Sequence, residues 1–91
     1  MVIGDLGFYE ETRNGFLVRY FPKEIDDDLL YWHRDKRDRL VFVLCGKDWK
    51  IQFDNELPIY LLQNIVYPIE KEKYHRLIKG SSELILKIKE F

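Results

Sequence analysis

Apolar and polar positions alternate with a period of two along most of this chain, and turn residues interrupt the alternation every few positions. That is the pattern of strands with one buried face. Over Phe16 to Phe21, Phe16, Val18 and Tyr20 fall on one face and Leu17, Arg19 and Phe21 on the other. The cleanest case sets Trp49, Ile51 and Phe53 against Lys50, Gln52 and Asp54. In Glu83 to Lys89, Leu84, Leu86 and Ile88 are expected to face inward. Leu40 to Cys45 is apolar on both faces, which predicts cover on both sides. Extended segments are also expected over Leu29 to His33, Ile65 to Ile69, Tyr74 to Ile78 and Leu57 to Leu62, where Pro58 implies a strand start or a sheet edge. Asp26-Asp27-Asp28, Gly46-Lys47-Asp48, Asp54-Asn55-Glu56, Gln63-Asn64 and Gly80-Ser81-Ser82 supply the turns. Over Glu70 to Lys79 a helix competes, because Tyr74, Leu77 and Ile78 fit a helical stripe. The flanking turns and β-rich neighbours favour the strand.

About eight short strands at spacings of about 8 to 12 residues predict an all-β, antiparallel sandwich or barrel. No repeat or linker divides residues 1–91, so a single domain is expected. Composition points the same way: two Trp, six Tyr and six Phe stand beside no alanine, and strands favour aromatic residues where helices favour alanine. The charge balance of 15 Lys+Arg against 16 Asp+Glu lacks the basic surface that a nucleic-acid partner requires. The single cysteine excludes an internal disulfide and a cysteine zinc site. Cys45 instead falls on the inward register of its strand and is expected to be a small core hydrophobe. The longest apolar run, Leu40 to Cys45, is too short to span a bilayer, and the N-terminus lacks a basic region followed by an apolar stretch. A soluble, cytoplasmic protein without a membrane partner is the expectation.

Residues with chemical potential gather in two places. One is His33-Arg34-Asp35 with Arg37, Asp38 and Arg39, and the other is Tyr74-His75-Arg76. In an antiparallel barrel, inward-facing residues near one rim converge on a cavity even when they come from distant strands. His33, Asp35 and His75 are candidate metal ligands, two imidazoles and a carboxylate. Arg39 is a permanent cation that suits a carboxylate or phosphate and cannot itself be a ligand. The bland alternative is a solvated, salt-bridged loop, whose exposed pairs contribute little. The Asp26 to Asp28 run lacks the alternating ligands and glycine of a calcium loop and reads as a turn.

The spacing resembles that of the cupin superfamily. Its first motif, G-x5-H-x-H-x(3,4)-E-x6-G, anchors on Gly46 and places His33 and Asp35 at the two His positions. Arg39 then stands at the Glu position and Asp27 at the first Gly. The second motif, G-x5-P-x-G-x2-H-x3-N, anchors on His75. It puts Asn64 and Glu72 at the two Gly positions, Glu70 at Pro and Lys79 at the final Asn. The resemblance covers roughly Phe16 to Lys89 and implies a double-stranded β-helix, a cupin-like barrel or jelly roll. Cupins hold a divalent metal with the His and Glu residues of these motifs. Carried over, His33, Asp35 and His75 remain as a metal set for iron, manganese, zinc or nickel, with Arg39 replacing the fourth ligand.

Two functional readings follow. In the first, the chain binds a small polar or anionic ligand in the barrel cavity without a full metal site, using Arg39, His75 and Asp35. In the alternative, it is a metal-dependent enzyme acting on a small or sugar-like substrate through His33, Asp35 and His75. One inference bears on partners. If Arg39 faces the cavity, Leu40, Phe42 and Leu44 point outward, and the expectation is that a second copy of the chain, forming a homodimer, or the N-terminal segment through Phe21 covers them.

Overall fold

The structure, a computed structural model, describes residues 7–91. Residues 1–6 of the expected domain and of the expected N-terminal cover lie outside the described residues. Eight strands are present among the described residues: β1 (Tyr9–Arg13), β2 (Phe16–Phe21), β3 (Arg39–Cys45), β4 (Lys50–Phe53), β5 (Ile59–Tyr60), β6 (Val66–Ile69), β7 (His75–Ile78) and β8 (Leu84–Glu90). They form two antiparallel sheets, a five-stranded one ordered β1-β2-β8-β3-β6 and a three-stranded one ordered β5-β4-β7. This is the all-β, antiparallel arrangement that the alternation predicts and the jelly roll that the resemblance implies. No described helix is long and apolar enough to cross a membrane.

The inner faces follow from register. Leu17, Arg19 and Phe21 of β2 lie opposite Ile88, Leu86 and Leu84 of β8, and Val41 and Val43 of β3 lie opposite Ile88 and Leu86. Ile51 of β4 and Trp49, the residue before that strand, complete one core with Leu84 and Leu86. Trp49, Ile51 and Leu84 are essentially inaccessible. Fully burying a side chain of this size stabilises by about 1.5–3 kcal/mol, which is why these alternating positions decide the fold.

Three expectations need correction. Leu29 to His33 is not a strand. Asp26 caps a 3-10 turn over Asp27–Leu29, accepting from the Asp28 N–H at 2.9 Å, so the backbone there is already bonded locally and only His33 reaches a bridge partner. Cys45 leaves the core register because a bulge between Val43 and Cys45 shifts it opposite Ile85, where it is half-buried. A bulge adds one residue to one strand and so exchanges the faces beyond it. The described part of the N-terminal segment, β1 and β2, does not lie over Leu40 and Phe42, since it extends the same sheet beyond β8. Among the described residues a lysine reaches over that outer face: the Lys87 ammonium sits 4.0 Å from the Phe16 ring centre and 6.0 Å from that of Phe42. Such cation–ring contacts contribute about 0.5–1 kcal/mol when exposed.

The strand β1 has no counterpart in the sequence reading. Asn14 and Gly15 form its two-residue turn into β2, both with positive φ (50° and 81°), the geometry that Asn-Gly favours in a tight hairpin. Over Glu70 to Lys79 the strand prevails over the helix, with β7 beginning at His75.

Candidate metal and ligand site

The two histidines meet through the backbone. His33 and His75 form an antiparallel bridge in which each N–H donates to the other's carbonyl, at 3.0 and 2.9 Å. This brings the rings to 4.4 Å between centres. Each Nδ1 lies against a carbonyl oxygen, Tyr31 O at 3.1 Å for His33 and Lys73 O at 2.8 Å for His75. A carbonyl only accepts, so each Nδ1 carries the proton, and in the neutral ring Nε2 is left as a bare lone pair. Burial pushes the His33 imidazole toward the neutral form; the Tyr31 carbonyl and Asp35 oppose this, while His75 and Arg19 reinforce it.

Asp35 faces both rings. Its Oδ2 lies 3.3 Å from His75 Nε2, and its Oδ1 lies 3.8 Å from His33 Nε2. Oδ2 is buried and makes no hydrogen bond among the described residues. The contact with His75 Nε2 is an ion pair when that ring carries a proton on both nitrogens, and it joins two acceptors when the proton is on Nδ1 alone. Burial pushes the Asp35 carboxyl up, but His75 and then Arg39 more than reverse this and hold it below the usual carboxylate range. The carboxylate is therefore ionised and buried, and its Oδ2 has no donor while the imidazoles are neutral.

The loop that carries Asp35 is tied to the turn before β7. The Glu72 N–H donates to the Asp35 carbonyl at 2.7 Å, and the Lys71 N–H donates to Asp38 Oδ1 at 2.8 Å. Glu72 and Asn64 hold φ of 64° and 66°, at the two positions where the second cupin motif has glycine. A left-handed backbone costs an ordinary residue roughly 1–2 kcal/mol, and at Glu72 that strain coincides with the bond that fixes Asp35.

Arg39 is already engaged. Its Nε and Nη2 donate to Glu90 Oε2 at 2.9 and 2.7 Å, and its Nη1 stands 3.1 Å from Asp35 Oδ1. Glu90, opposite Arg39 across β3 and β8, has no sequence signal beyond its place two residues after Ile88, where it continues the inward stripe of Leu84, Leu86 and Ile88. The other arginine of the cavity is Arg19, on the inner face of β2 opposite Leu86. It too lay unmarked, because its neighbours Leu17 and Phe21 make that face read as plain core.

These groups line a cavity of about 210 Å³ whose remaining wall is apolar, including Phe21, Leu30, Ile51, Leu77 and Leu86. The structure thus brings His33, Asp35, His75 and Arg39 together at one cavity. The three candidate ligand atoms lie within 4.8 Å of one another. Two imidazole nitrogens and one carboxylate oxygen converging with their lone pairs forward fit a divalent cation, which would supply the positive charge that Asp35 Oδ2 lacks.

No protein-family model matches the chain, and no curated protein matches it. Solved structures do resemble it. A cupin domain from Bordetella pertussis Tohama I superposes with a TM-score of 0.63 at 15% identity, covering 92% of this chain and 91% of that one. A cupin-2 domain protein from Shewanella frigidimarina gives 0.63 at 20% identity, covering 92% and 79%. The iron(II) form of HppE gives 0.67 at 19% identity over 92% of this chain, which spans 50% of the HppE chain.

Proposed function

We propose that this chain, whose fold is that of the cupins, holds a divalent metal ion at His33, Asp35 and His75 and binds a small organic ligand in the cavity beside it. The observation that carries the reading is Asp35 Oδ2, a buried carboxylate oxygen without a hydrogen bond, aimed between two imidazoles whose protons are committed elsewhere. Leaving a buried carboxylate oxygen without a donor is costly even when its twin is paired, and a cation removes that cost. The iron(II) in HppE supports the same chemistry.

Arg39 at the usual Glu position argues for the metal-free reading as long as its charge stands alone beside the ion. In the fold it does not stand alone. Glu90 and Asp35 both contact it, so Arg39 with these two carboxylates sums to one negative charge. Arg39 then acts as a positioning residue, holding Asp35 Oδ1 and leaving Oδ2 free. A bound divalent ion would supply Lewis acidity toward a ligand in the cavity. The chain's own residues orient that ligand, and the apolar wall keeps water from it.

Metal analysis of protein purified without chelator tests the reading. About one equivalent of iron, manganese, zinc or nickel is expected, lost on His75→Ala, because the site offers only three ligands. A metal content below about a tenth of an equivalent, unchanged by His75→Ala, returns the balance to metal-free ligand binding at the same cavity. A second variant probes the charge argument. Glu90→Gln leaves Arg39 with one carboxylate instead of two, and metal affinity measured by competition with a chelator dye is expected to fall about 10- to 100-fold, the usual effect of losing an outer partner.

A further inference from the structure

Arg19 carries a feature that the metal site does not use. Its Nε donates to Glu10, and its guanidinium lies over the Phe8 ring at 4.8 Å from the centre. Its side chain is only 19% exposed, yet among the described residues neither terminal nitrogen has a hydrogen-bond partner. The orientation is therefore fixed from one side by a carboxylate and a ring, while the two-pronged end stays open where Arg19 lines the cavity. A planar fork of this kind matches a carboxylate with two parallel hydrogen bonds. Arg39 does not offer the same fork, because Glu90 and Asp35 occupy its donors.

Charge narrows the ligand further. Arg19 and Arg39 face three carboxylates, Glu10, Asp35 and Glu90. Of these, Arg19, Arg39 and Asp35 line the cavity and sum to one positive charge, which a divalent ion raises further, while Glu10 and Glu90 stand outside the lining, about a third exposed, and offset it from the solvent side. An anionic ligand lowers that positive excess, and unpaired charge is poorly tolerated beside an apolar wall. The volume of about 210 Å³ equals about seven waters at about 30 Å³ each, which limits the ligand to a short body.

We infer that the cavity takes a small organic monocarboxylate with an apolar body, its carboxylate held by the terminal nitrogens of Arg19 and its other end toward His33, Asp35 and His75. This deepens the metal reading above and rests on it.

Calorimetric titration of the cobalt(II)-loaded full chain with butyrate and with butyramide, its neutral isostere, tests the inference. Butyrate is expected to bind at least about tenfold more tightly than butyramide, and Arg19→Gln to weaken butyrate at least about tenfold, the usual span for a lost hydrogen bond to a charged group. The cobalt stoichiometry and affinity of that variant should match the parent's. Arg19→Lys keeps the charge without the fork and should recover only part of the butyrate affinity. Should Arg19→Gln not fold, the butyrate-to-butyramide ratio of the parent and the Arg19→Lys result decide. Equal binding of the two probes, no butyrate binding, or parent-like butyrate affinity in the variants overturns the inference. Failure of the metal reading is seen separately, as absence of cobalt binding to the parent. In that event butyrate titration of the metal-free parent and its Arg19 variants judges the carboxylate site by the same criteria.

Discussion

Asp35→Asn is expected to abolish stoichiometric metal binding and leave a folded protein. The substitution keeps the side chain's shape and a carbonyl oxygen for Arg39. It removes the charge from the one oxygen that points between the imidazoles without a partner. Loss of a direct ligand should exceed the roughly 10- to 100-fold that an outer partner costs. Folding survives because Glu90 continues to hold Arg39 through two hydrogen bonds, and the His33–His75 bridge is made by backbone atoms. Thermal melts give a direct readout. A metal at 100 times its dissociation constant stabilises the parent by about 2.7 kcal/mol. At roughly 4–8 °C per kcal/mol for a domain of this size, that is a rise of about 10–20 °C. The variant should show no such rise, and an equal rise in both proteins would sink the assignment of Asp35.

The same variant has an acid signature in the absence of metal. Burial raises the Asp35 carboxyl, and His75 and Arg39 lower it further than that, so its folded value lies below its unfolded one. A depressed folded pKa contributes stability that is present above the unfolded value and lost as pH falls through the folded value. The parent therefore has a carboxylate limb in its acid unfolding curve that Asp35→Asn should lack. Because burial of Asp35 offsets much of the lowering by His75 and Arg39, that limb is expected to be small beside the metal-dependent shift.

What the sequence makes legible depends on which residues face the core. Trp49 with Ile51, and Leu84 with Leu86 and Ile88, alternate cleanly because one face of each strand meets the core and the other meets water. β1 hides because its polar residues serve both faces: Glu10 bonds Arg19, and Glu11 accepts from the Tyr20 hydroxyl at 2.9 Å. Only the turn pair Asn14-Gly15 marks it. Leu29 to His33 misleads in the opposite sense, since apolar spacing there coincides with a capped turn whose hydrogen bonds are local. In the site, His33, Asp35 and His75 are recoverable from motif spacing, because strand register turns spacing into convergence. The charge state of Arg39 is not recoverable that way. Its neutralising partner Glu90 lies 51 residues further along, and only the pairing of β3 with β8 makes the two neighbours.

Gly80→Ala is expected to be the most damaging single methyl added to this chain outside the site. Gly80 follows β7, and a Cβ there would stand 2.1 Å from the Lys47 carbonyl oxygen, 2.6 Å from the Trp49 nitrogen and 2.6 Å from Trp49 Cδ1. Two of those three atoms are backbone, so no rotamer change relieves them. The backbone at Gly80 is not left-handed, so the cost is one of room and not of conformational strain. The turns on either side of the clash are zipped together. The Ser81 N–H donates to Lys47 O at 2.9 Å, the Lys47 N–H donates to Ser82 Oγ at 2.9 Å, and the Trp49 indole N–H donates to Ser82 O at 2.8 Å. Parting them by an ångström weakens all three and lifts the indole of a fully buried tryptophan. Overpacking of a core commonly costs about 1–3 kcal/mol, and contacts with backbone belong at or above its upper end. A melting temperature lower by roughly 10–20 °C follows from the size of the domain. The displaced turn also pulls on β7, which carries His75, and on the turn that ends β3, which carries Arg39. Metal affinity should therefore fall with stability in Gly80→Ala, whereas in Asp35→Asn it falls while the fold persists. A variant that melts with the parent would show that the two turns can separate without loss, and that the zipped turns do not hold the two sheets in register.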